Sequence, residues 1–512
     1  MVGGGASAVC LLNALEQERD LPGGEITVFE ASDNLWRGRP YRPDLDVVRV
    51  NSVPGDMSVR AGEGDHLNEW LTARELFLGT KTTFTDALSG AQFVPRAVYG
   101  DYLEQSARAA LRALVGRGWR VELVRQRVQS ATAVSEGLLL AAQTERYEVD
   151  YAVLSVGAGK PADIYSLAGS DDFIMEPYPT ARSLDNIDPH ADVAVIGSGL
   201  TAVDVVLGLI SMGHCGRIRL CSRRGALPSV RQRPIEHTLQ YFTTTRFRAM
   251  AAKGERVDLA SLVAVMHAEL AAVGEDMTTI RAEMEAIRHE DPVVRLRRNL
   301  GEVNAPSIAL RILQQAVPEA GPDVWPLLTE HEKDRLLAEH DRTLMSLCCP
   351  MPPSSAATLL SLIDSGRLEL VRNLQNIEPT DGGGFTITTS DGDQRAMVVV
   401  NAINARLRMT SEIAAPLIGS LVANGLAQPH RRGGLHVARA TSRLTVDSLP
   451  DARLYALGDQ AVGSLFFTFG VQSLVDRAVD IVESIREDSA GRASLRIPTE
   501  PARAGAGALQ PA

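Results

Sequence analysis

Cysteine is scarce in this 512-residue chain: only Cys10, Cys215, Cys221, Cys348 and Cys349 occur, and no two of them show metal-ligand spacing. An odd count with no leader segment fits reduced thiols in a cytoplasm. Cys348 and Cys349 are adjacent, so a vicinal redox pair competes with two incidental thiols. Neither a C-x-x-C motif nor a basic neighbour is there to activate them. Long apolar runs are missing too, and none approaches the length that spans a bilayer. The sequence passes from Met1 straight into glycines, which leaves no room for a secretory signal. Positive charge is in deficit, with 52 Lys and Arg against 63 Asp and Glu, and the net charge of −11 argues against nucleic acid or an anionic membrane as partner. No Ser/His/Asp set, metal cluster or activated nucleophile stands out. What remains is an ordinary globular composition, 45% hydrophobic and 22% charged, with length for about three domains.

The most informative stretch is Asp192-Val-Ala-Val-Ile-Gly-Ser-Gly-Leu-Thr-Ala-Val-Asp204. An apolar strand-like run ends in Gly197-x-Gly199-x-x-Ala202, and an apolar helical pattern follows. Gly197 permits a tight turn, Gly199 lets backbone amides approach a pyrophosphate, and Ala202 lets the helix sit close to the sheet. An ordinary strand-to-helix turn is the competing reading. The next strand-like run, Arg217 to Cys221, ends in Ser222-Arg223-Arg224. An acid usually holds the ribose 2′-hydroxyl at this place. A hydroxyl and two guanidiniums suit a 2′-phosphate instead, which favours NADPH over NADH. A solvated basic turn is the rival.

A second glycine motif opens the chain: Gly3-x-Gly5-x-x-Ala8, a helical stretch, and then Glu25 to Glu30, a strand ending in an acid. With Glu30 in place, this copy reads as an adenosine diphosphate site without a 2′-phosphate. Only Met1 and Val2 precede Gly3. Either the native start lies upstream, the favoured expectation, or the sheet tolerates a stub at its centre. Residues 36–60 form a long Arg-, Pro- and Asp-rich loop of the kind that is usually functional. Its arginines Arg37, Arg39, Arg42, Arg49 and Arg60 are candidates for phosphates or an acidic substrate, against plain solvation.

An internal repeat follows. Strand-like runs at 120–125, 137–142 and 151–157 recur at 368–372, 384–388 and 397–403, each set behind a glycine motif. Such duplication predicts an α/β protein with two Rossmann-like, glutathione-reductase-type dinucleotide-binding domains and a helical insertion. The expected division is 1–165 plus 395–487 for the first nucleotide domain, 188–234 plus 342–394 for the NADPH domain, 235–341 for the insertion, and 488–512 as an Ala-, Gly- and Pro-rich disordered tail. In the insertion, Leu259, Leu262, Val263, Met266 and Leu270 recur at helical spacing. A lid packed over the nucleotide domain is the first reading and a dimer surface, hence a homo-oligomer, the second. His237 and His267 read as structural or exposed.

The two glycine motifs, Glu30, Ser155-Val156-Gly157 and Gly458-Asp459 together resemble two-dinucleotide-domain flavoproteins, with FAD on the first module and NAD(P)H on the second. More narrowly, Arg37 to Tyr41, Asn51 to Pro54, Phe93 to Gly100 and Ser222 to Gly225 resemble YdhS-like FAD/NAD(P)-binding proteins. The resemblance extends to flavin-dependent N-hydroxylating monooxygenases of natural-product pathways. It implies that NADPH reduces FAD, that O₂ adds to give a C4a-hydroperoxide, and that a small amine or amino acid attacks it through nitrogen. It also implies that Asp459 bonds the ribityl chain and that Asn51 and Met57 lie beside the isoalloxazine. Two strand ends, Ser155-Val156-Gly157 and Ala402-Ile403-Asn404, depart from the usual Ala-Thr-Gly. Candidate substrate contacts are Arg96 and Arg342, whose planar forks suit a carboxylate, and Phe466, Phe467 and Thr468. A reductase without oxygenation is one rival, though no C-x-x-C supports it. The other is a nucleotide-binding sensor that has lost catalysis.

Overall fold

The computed structural model describes residues 1–79, 84–157, 159, 161–403, 414–468 and 470–496. The first module runs from the Gly3–Gly5 turn through α1 (Ala6–Gln17), β1 (Glu25–Phe29), α2 (His66–Leu78), α3 (Arg96–Gly116) and β2 (Arg120–Val124). An antiparallel meander of β3 (Ser130–Ala133), β4 (Leu138–Ala141) and β5 (Arg146–Val149) follows, and β6 (Ala152–Leu154) closes it. The second module contains β7 (Phe173–Ile174), α4 (Thr180–Ser183), β8 (Val193–Ile196), α5 (Leu200–Ser211) and β9 (Ile218–Cys221).

Seven helices come next: α6 (Thr244–Ala252), α7 (Leu259–Ala271), α8 (Thr278–His289), α9 (Pro292–Gly301), α10 (Ala309–Val324), α11 (Glu330–Glu339) and α12 (Asp341–Cys348). The second module then resumes with α13 (Pro353–Asp364), β10 (Leu368–Val371), the meander β11 (Leu374–Pro379), β12 (Phe385–Thr389) and β13 (Gly392–Ala396), and β14 (Val398–Asn401). The chain returns to the first module in α14 (Ala415–Ala423), β15 (Arg443–Val446), β16 (Leu449–Ala456), α15 (Val462–Leu465) and α16 (Val471–Arg496).

Both sheets are built on the same plan. In the second, parallel strands lie in the order β10-β9-β8-β14-β7, and every residue of β8, β9 and β14 is buried. Helices α5 and α13 cover one face of this sheet and the meander β11–β13 covers the other, and parallel strands buried on both faces need such unbroken apolar runs. In the first, β1 pairs with β2 and β6 with β16, all parallel. The stub fills the gap between them: Val2 bridges Phe29 on one side and Leu154 on the other. Val2 N donates to Val153 O at 2.9 Å, and Ser155 N donates to Val2 O at 2.8 Å. Val2 thus carries the ladder into the turn at Gly3.

The division read from the sequence needs three corrections. β14 was expected with the first domain, but it pairs in parallel with β8 and β7, and its apolar side chains complete the second core. The insertion extends past 341 to Cys348, because Leu347 and Cys348 of α12 pack with Phe247, Leu270 and Ile312 in the insertion's own core. α9, by contrast, gives Leu296 to the core of the second module. Finally, α16 continues to Arg496, through residues expected to be a disordered tail, because Ala, Arg and Glu in 485–496 favour helix; residues 497–512 lie outside those described. In α7, Met266 and Leu270 are core residues while Val263 is 45% exposed, so the apolar stripe is narrower than its spacing suggests. Polar side chains cap α6, α7, α9 and α11 at Thr243, Asp258, Asp291 and Thr329.

Candidate functional site

The first glycine turn is held open by backbone geometry. Gly3 has φ +101°, and any side chain there would meet the Ser155 carbonyl oxygen at 2.6 Å. Gly5 caps α1 with no side chain over its first amides, and Ala8 is fully buried against the sheet. These features fit a pyrophosphate on the helix N-terminus. Glu30 stands at the end of β1, where its carboxylate accepts from Gly4 N at 3.0 Å and Ser32 N at 2.8 Å. The loop after it folds over the turn: Trp36 N donates to Gly4 O, and Gly38 lies against Gly5. At the ends of β6 and β16, Gly157 and Asp459 come together, with Asp459 Oδ2 3.7 Å from where a Gly157 side chain would start. Gly458 itself has φ +82°. Met57 is buried nearby in a 3-10 turn, its carbonyl accepting from the Tyr99 hydroxyl at 2.9 Å. Asn51 donates to Pro350 O at 3.3 Å and so reaches across to the second module.

The second turn repeats the first. Gly197 has φ +120° and faces the Ala402 carbonyl at 3.2 Å, the place that Ser155 takes in the first module. Gly199 caps α5 over open space, and Ala202 is fully buried. Ile403 is described, whereas Asn404 of the strand end lies outside the described residues. The Ser198 hydroxyl donates to Ala226 O at 2.8 Å, which draws the segment after β9 onto the glycine turn. Arg223 and Arg224 are exposed there, and neither has an ion pair among the described residues. Ser222 does not join them as expected. It is buried, and its hydroxyl accepts from Gly225 N at 2.9 Å to shape the turn.

Several expected contacts are used elsewhere. Arg37 was placed among the cofactor ligands, yet its guanidinium is saturated by Asp101, by Glu104 at 2.7 Å and by the carbonyl of Ala97 at 3.0 Å. Arg39 pairs with Glu176 at 2.8 Å, and Arg60 with Glu16 at 3.0 Å. The loop arginines that pair are therefore struts. Arg96, expected at a substrate carboxylate, pairs with Asp204 of α5 at 2.7 Å and lies over the Tyr178 ring. Tyr178 donates its hydroxyl to the same carboxylate. Burial opposes charge on Arg96, but Asp204 together with Tyr178 and Tyr41 outweighs it and holds the guanidinium protonated; burial likewise pushes the Asp204 carboxyl up against the pull of Arg96. This triad ties α3 of the first module to the helix behind the second glycine turn.

Phe466, Phe467 and Thr468 are buried rather than lining an open cleft. Phe466 stacks on Trp325 at 4.5 Å, and Phe467 packs against Gly321 of α10, so both close the junction with the insertion. Arg342 lies on α12, away from these residues. It is exposed beside Arg223 and Arg224, and its pKa is lowered by its partial enclosure and then by those two like charges. Burial pushes both vicinal thiols up, Cys349 to about 11 in spite of Arg231, so neither is an activated nucleophile. His237 meets Glu269 at 3.1 Å in a structural cap, and His267 is exposed.

Sequence reasoning missed Asp204 and its partners, although the signal was there: one acid inside the apolar helix Leu200–Ser211 must find a cation if it is buried. It also missed Asp44, which caps α4 by accepting from Thr180 N at 2.9 Å and Ala181 N at 2.8 Å. Among the described residues no His, Cys, Asp and Glu cluster could hold a metal, and no helix is long and apolar enough to cross a membrane.

Comparison with known proteins agrees with this geometry. Residues 1–159 match the family model for FAD-NAD(P)-binding. No curated protein matches the chain. Among solved structures it is similar to the Kutzneria sp. 744 ornithine N-hydroxylase, seen with reduced FAD, NADP⁺ and L-ornithine, at 14% identity and a TM-score of 0.59, over 95% of this chain and 98% of that one. The L-lysine 6-monooxygenase of Pseudomonas syringae follows at 15% identity and a TM-score of 0.56, over 95% and 98% of the two chains. The FAD-bound cadaverine monooxygenase of Erwinia amylovora aligns at 11% identity and a TM-score of 0.55, over 100% and 98%. The chain therefore has the fold of flavoproteins with two dinucleotide-binding domains, and its first 159 residues match an FAD-NAD(P)-binding domain.

Proposed function

We propose that this chain is an FAD- and NADPH-dependent monooxygenase that N-hydroxylates the amino group of a small amine or amino acid, with O₂ as co-substrate. The observation that carries the reading is the pair of glycine turns, one followed by Glu30 and the other by Arg223 and Arg224. The first suits the free ribose of FAD, the second the 2′-phosphate of NADPH. The full-length likeness to an ornithine N-hydroxylase, a lysine monooxygenase and a cadaverine monooxygenase supports the choice of reaction.

In this reading Gly3, Gly5 and the N-terminus of α1 hold the FAD pyrophosphate, Glu30 its ribose, and Gly157 and Asp459 its ribityl side. Gly197, Gly199 and α5 hold the NADPH pyrophosphate. When bound, FAD supplies the redox and oxygen-activating chemistry. The protein orients the two nucleotides through the Arg96–Asp204–Tyr178 tie and excludes water with the insertion packed over the junction at Phe466 and Trp325. No side chain here is asked to act as nucleophile.

The test is NADPH oxidation by the flavin-loaded protein, screened against amines and amino acids, with mass spectrometry of the products. A substrate-dependent product heavier by one oxygen on nitrogen is expected. Turnover without any oxygenated product would move the assignment to a reductase.

A further inference from the structure

We infer that Arg342, on the helical insertion, is a third ligand of the donor nucleotide's ribose phosphate, so that this phosphate clamps the insertion onto the second module. The inference rests on the reading of Arg223 and Arg224 as a 2′-phosphate site and adds a residue from a different part of the chain.

The position of α12 carries the argument. Ser346 of α12 donates its hydroxyl to Leu227 O at 3.0 Å, and Ser229 N donates to Ser346 O at 3.1 Å. The helix is thereby fixed against the segment that begins at Arg223. Arg342 lies four residues before Ser346 and so shares its helix face. A second anchor stiffens the same segment from the other side: Arg295 donates to Leu227 O and to Ser229 Oγ, the latter at 3.2 Å, and is itself paired with Glu283 at 2.9 Å. These bonds join Arg223, Arg224 and Arg342 to one connected frame.

Charge makes the arrangement informative. Three exposed guanidiniums share one locality, and none forms an ion pair among the described residues. The one acid beside Arg342 is its chain neighbour Asp341, which is not within ion-pair distance of it, and Asp291, the neighbour of the Pro292 that packs on Gly225, is engaged 3.8 Å from Arg372. Like charges gathered without a counterion repel one another, and a phosphate monoester near neutral pH carries the charge and the three acceptor oxygens that three planar forks can share. Because the core side of α12, at Leu347 and Cys348, belongs to the insertion, a phosphate bound by Arg342 connects the insertion to the nucleotide.

The test uses the flavin-loaded full chain and two probes, 2′,5′-ADP and 5′-ADP, by titration calorimetry, together with hydrogen exchange over 341–348. Wild type is expected to prefer 2′,5′-ADP and to gain protection in 341–348 with that probe alone. Arg342→Ala is expected to weaken 2′,5′-ADP by about ten- to a hundredfold, to leave 5′-ADP unchanged and to lose the protection. If Arg342→Ala binds both probes like wild type while Arg223→Ala/Arg224→Ala loses the preference, the inference fails and the NADPH reading stands. If wild type itself shows no preference, both fail together.

Discussion

The two modules are one design used twice and finished differently. Gly3 and Gly197 both turn with positive φ against a carbonyl at the end of the closing strand, Ser155 in one and Ala402 in the other. Ala8 and Ala202 are equally buried beneath their helices. Where the modules part is at the end of the next strand, with Glu30 in the first and Ser222, Arg223 and Arg224 in the second. The backbone thus shapes the two turns alike while the side chains beyond them differ, and the proposed choice of ribose rests on that difference. A second difference lies above the turns. Gly5 is covered by Gly38, whereas Gly199 faces open space. In the proposed reading the cofactor that stays lies at the covered turn and the donor that comes and goes at the open one.

The comparison breaks most sharply at its shared feature. Gly3→Ala puts a Cβ into the Ser155 carbonyl and adds backbone strain of about 1–3 kcal/mol; the purified protein is expected to lose its flavin absorbance. Gly197→Ala is expected to keep the flavin and lose NADPH-dependent reduction, so matched losses in both variants would erase the distinction between the modules. Next comes the tie between them. Arg96→Ala leaves the buried Asp204 uncompensated at a cost of roughly 3–5 kcal/mol in urea unfolding, while Arg96→Met/Asp204→Leu is expected to recover most of it. No difference between single and double variants would show that the pair does not act as a unit.

The strand ends come third. Arg223→Ala/Arg224→Ala is expected to raise KM for NADPH about ten- to a hundredfold with little change for NADH; an equal change for both donors removes the case for a 2′-phosphate. The smallest effect concerns acid. Burial, then His436 and Arg432, lower His430 to about 4 from its ordinary 6.5, at the junction of the first module with the insertion. The unfolded chain takes up that proton near 6.5 and the folded one only near 4, so stability falls as pH drops through this window and is flat above it. Flavin release followed by fluorescence should show this slope in wild type, and His430→Gln should flatten it.

The duplication, the parallel sheets and the turn glycines were legible in the sequence because they depend on local backbone needs: φ beyond the reach of other residues, apolar runs for buried strands, and a fixed spacing to the next strand end. The ion pairs of Arg37 and Arg96 were not legible, because an arginine's partner lies elsewhere in the chain. Asp101 and Glu104 claim the first, and Asp204 the second. Arg342, read from the sequence as a candidate clamp for a substrate carboxylate, stands beside Arg223 and Arg224 because α12 docks on Leu227 and Ser229, a contact that no local pattern announces. The phenylalanines after Gly458-Asp459 were sought at an open pocket, but the insertion supplies Trp325 to cover them.

The most direct test of two nucleotides served by one chain is an anaerobic NADPH titration of the purified holoprotein, with bound FAD and NADP⁺ counted per chain. One of each is expected, with flavin absorbance bleaching on NADPH addition and failing to bleach in Gly197→Ala. A single bound nucleotide per chain, or a flavin that NADPH cannot reduce, would contradict it.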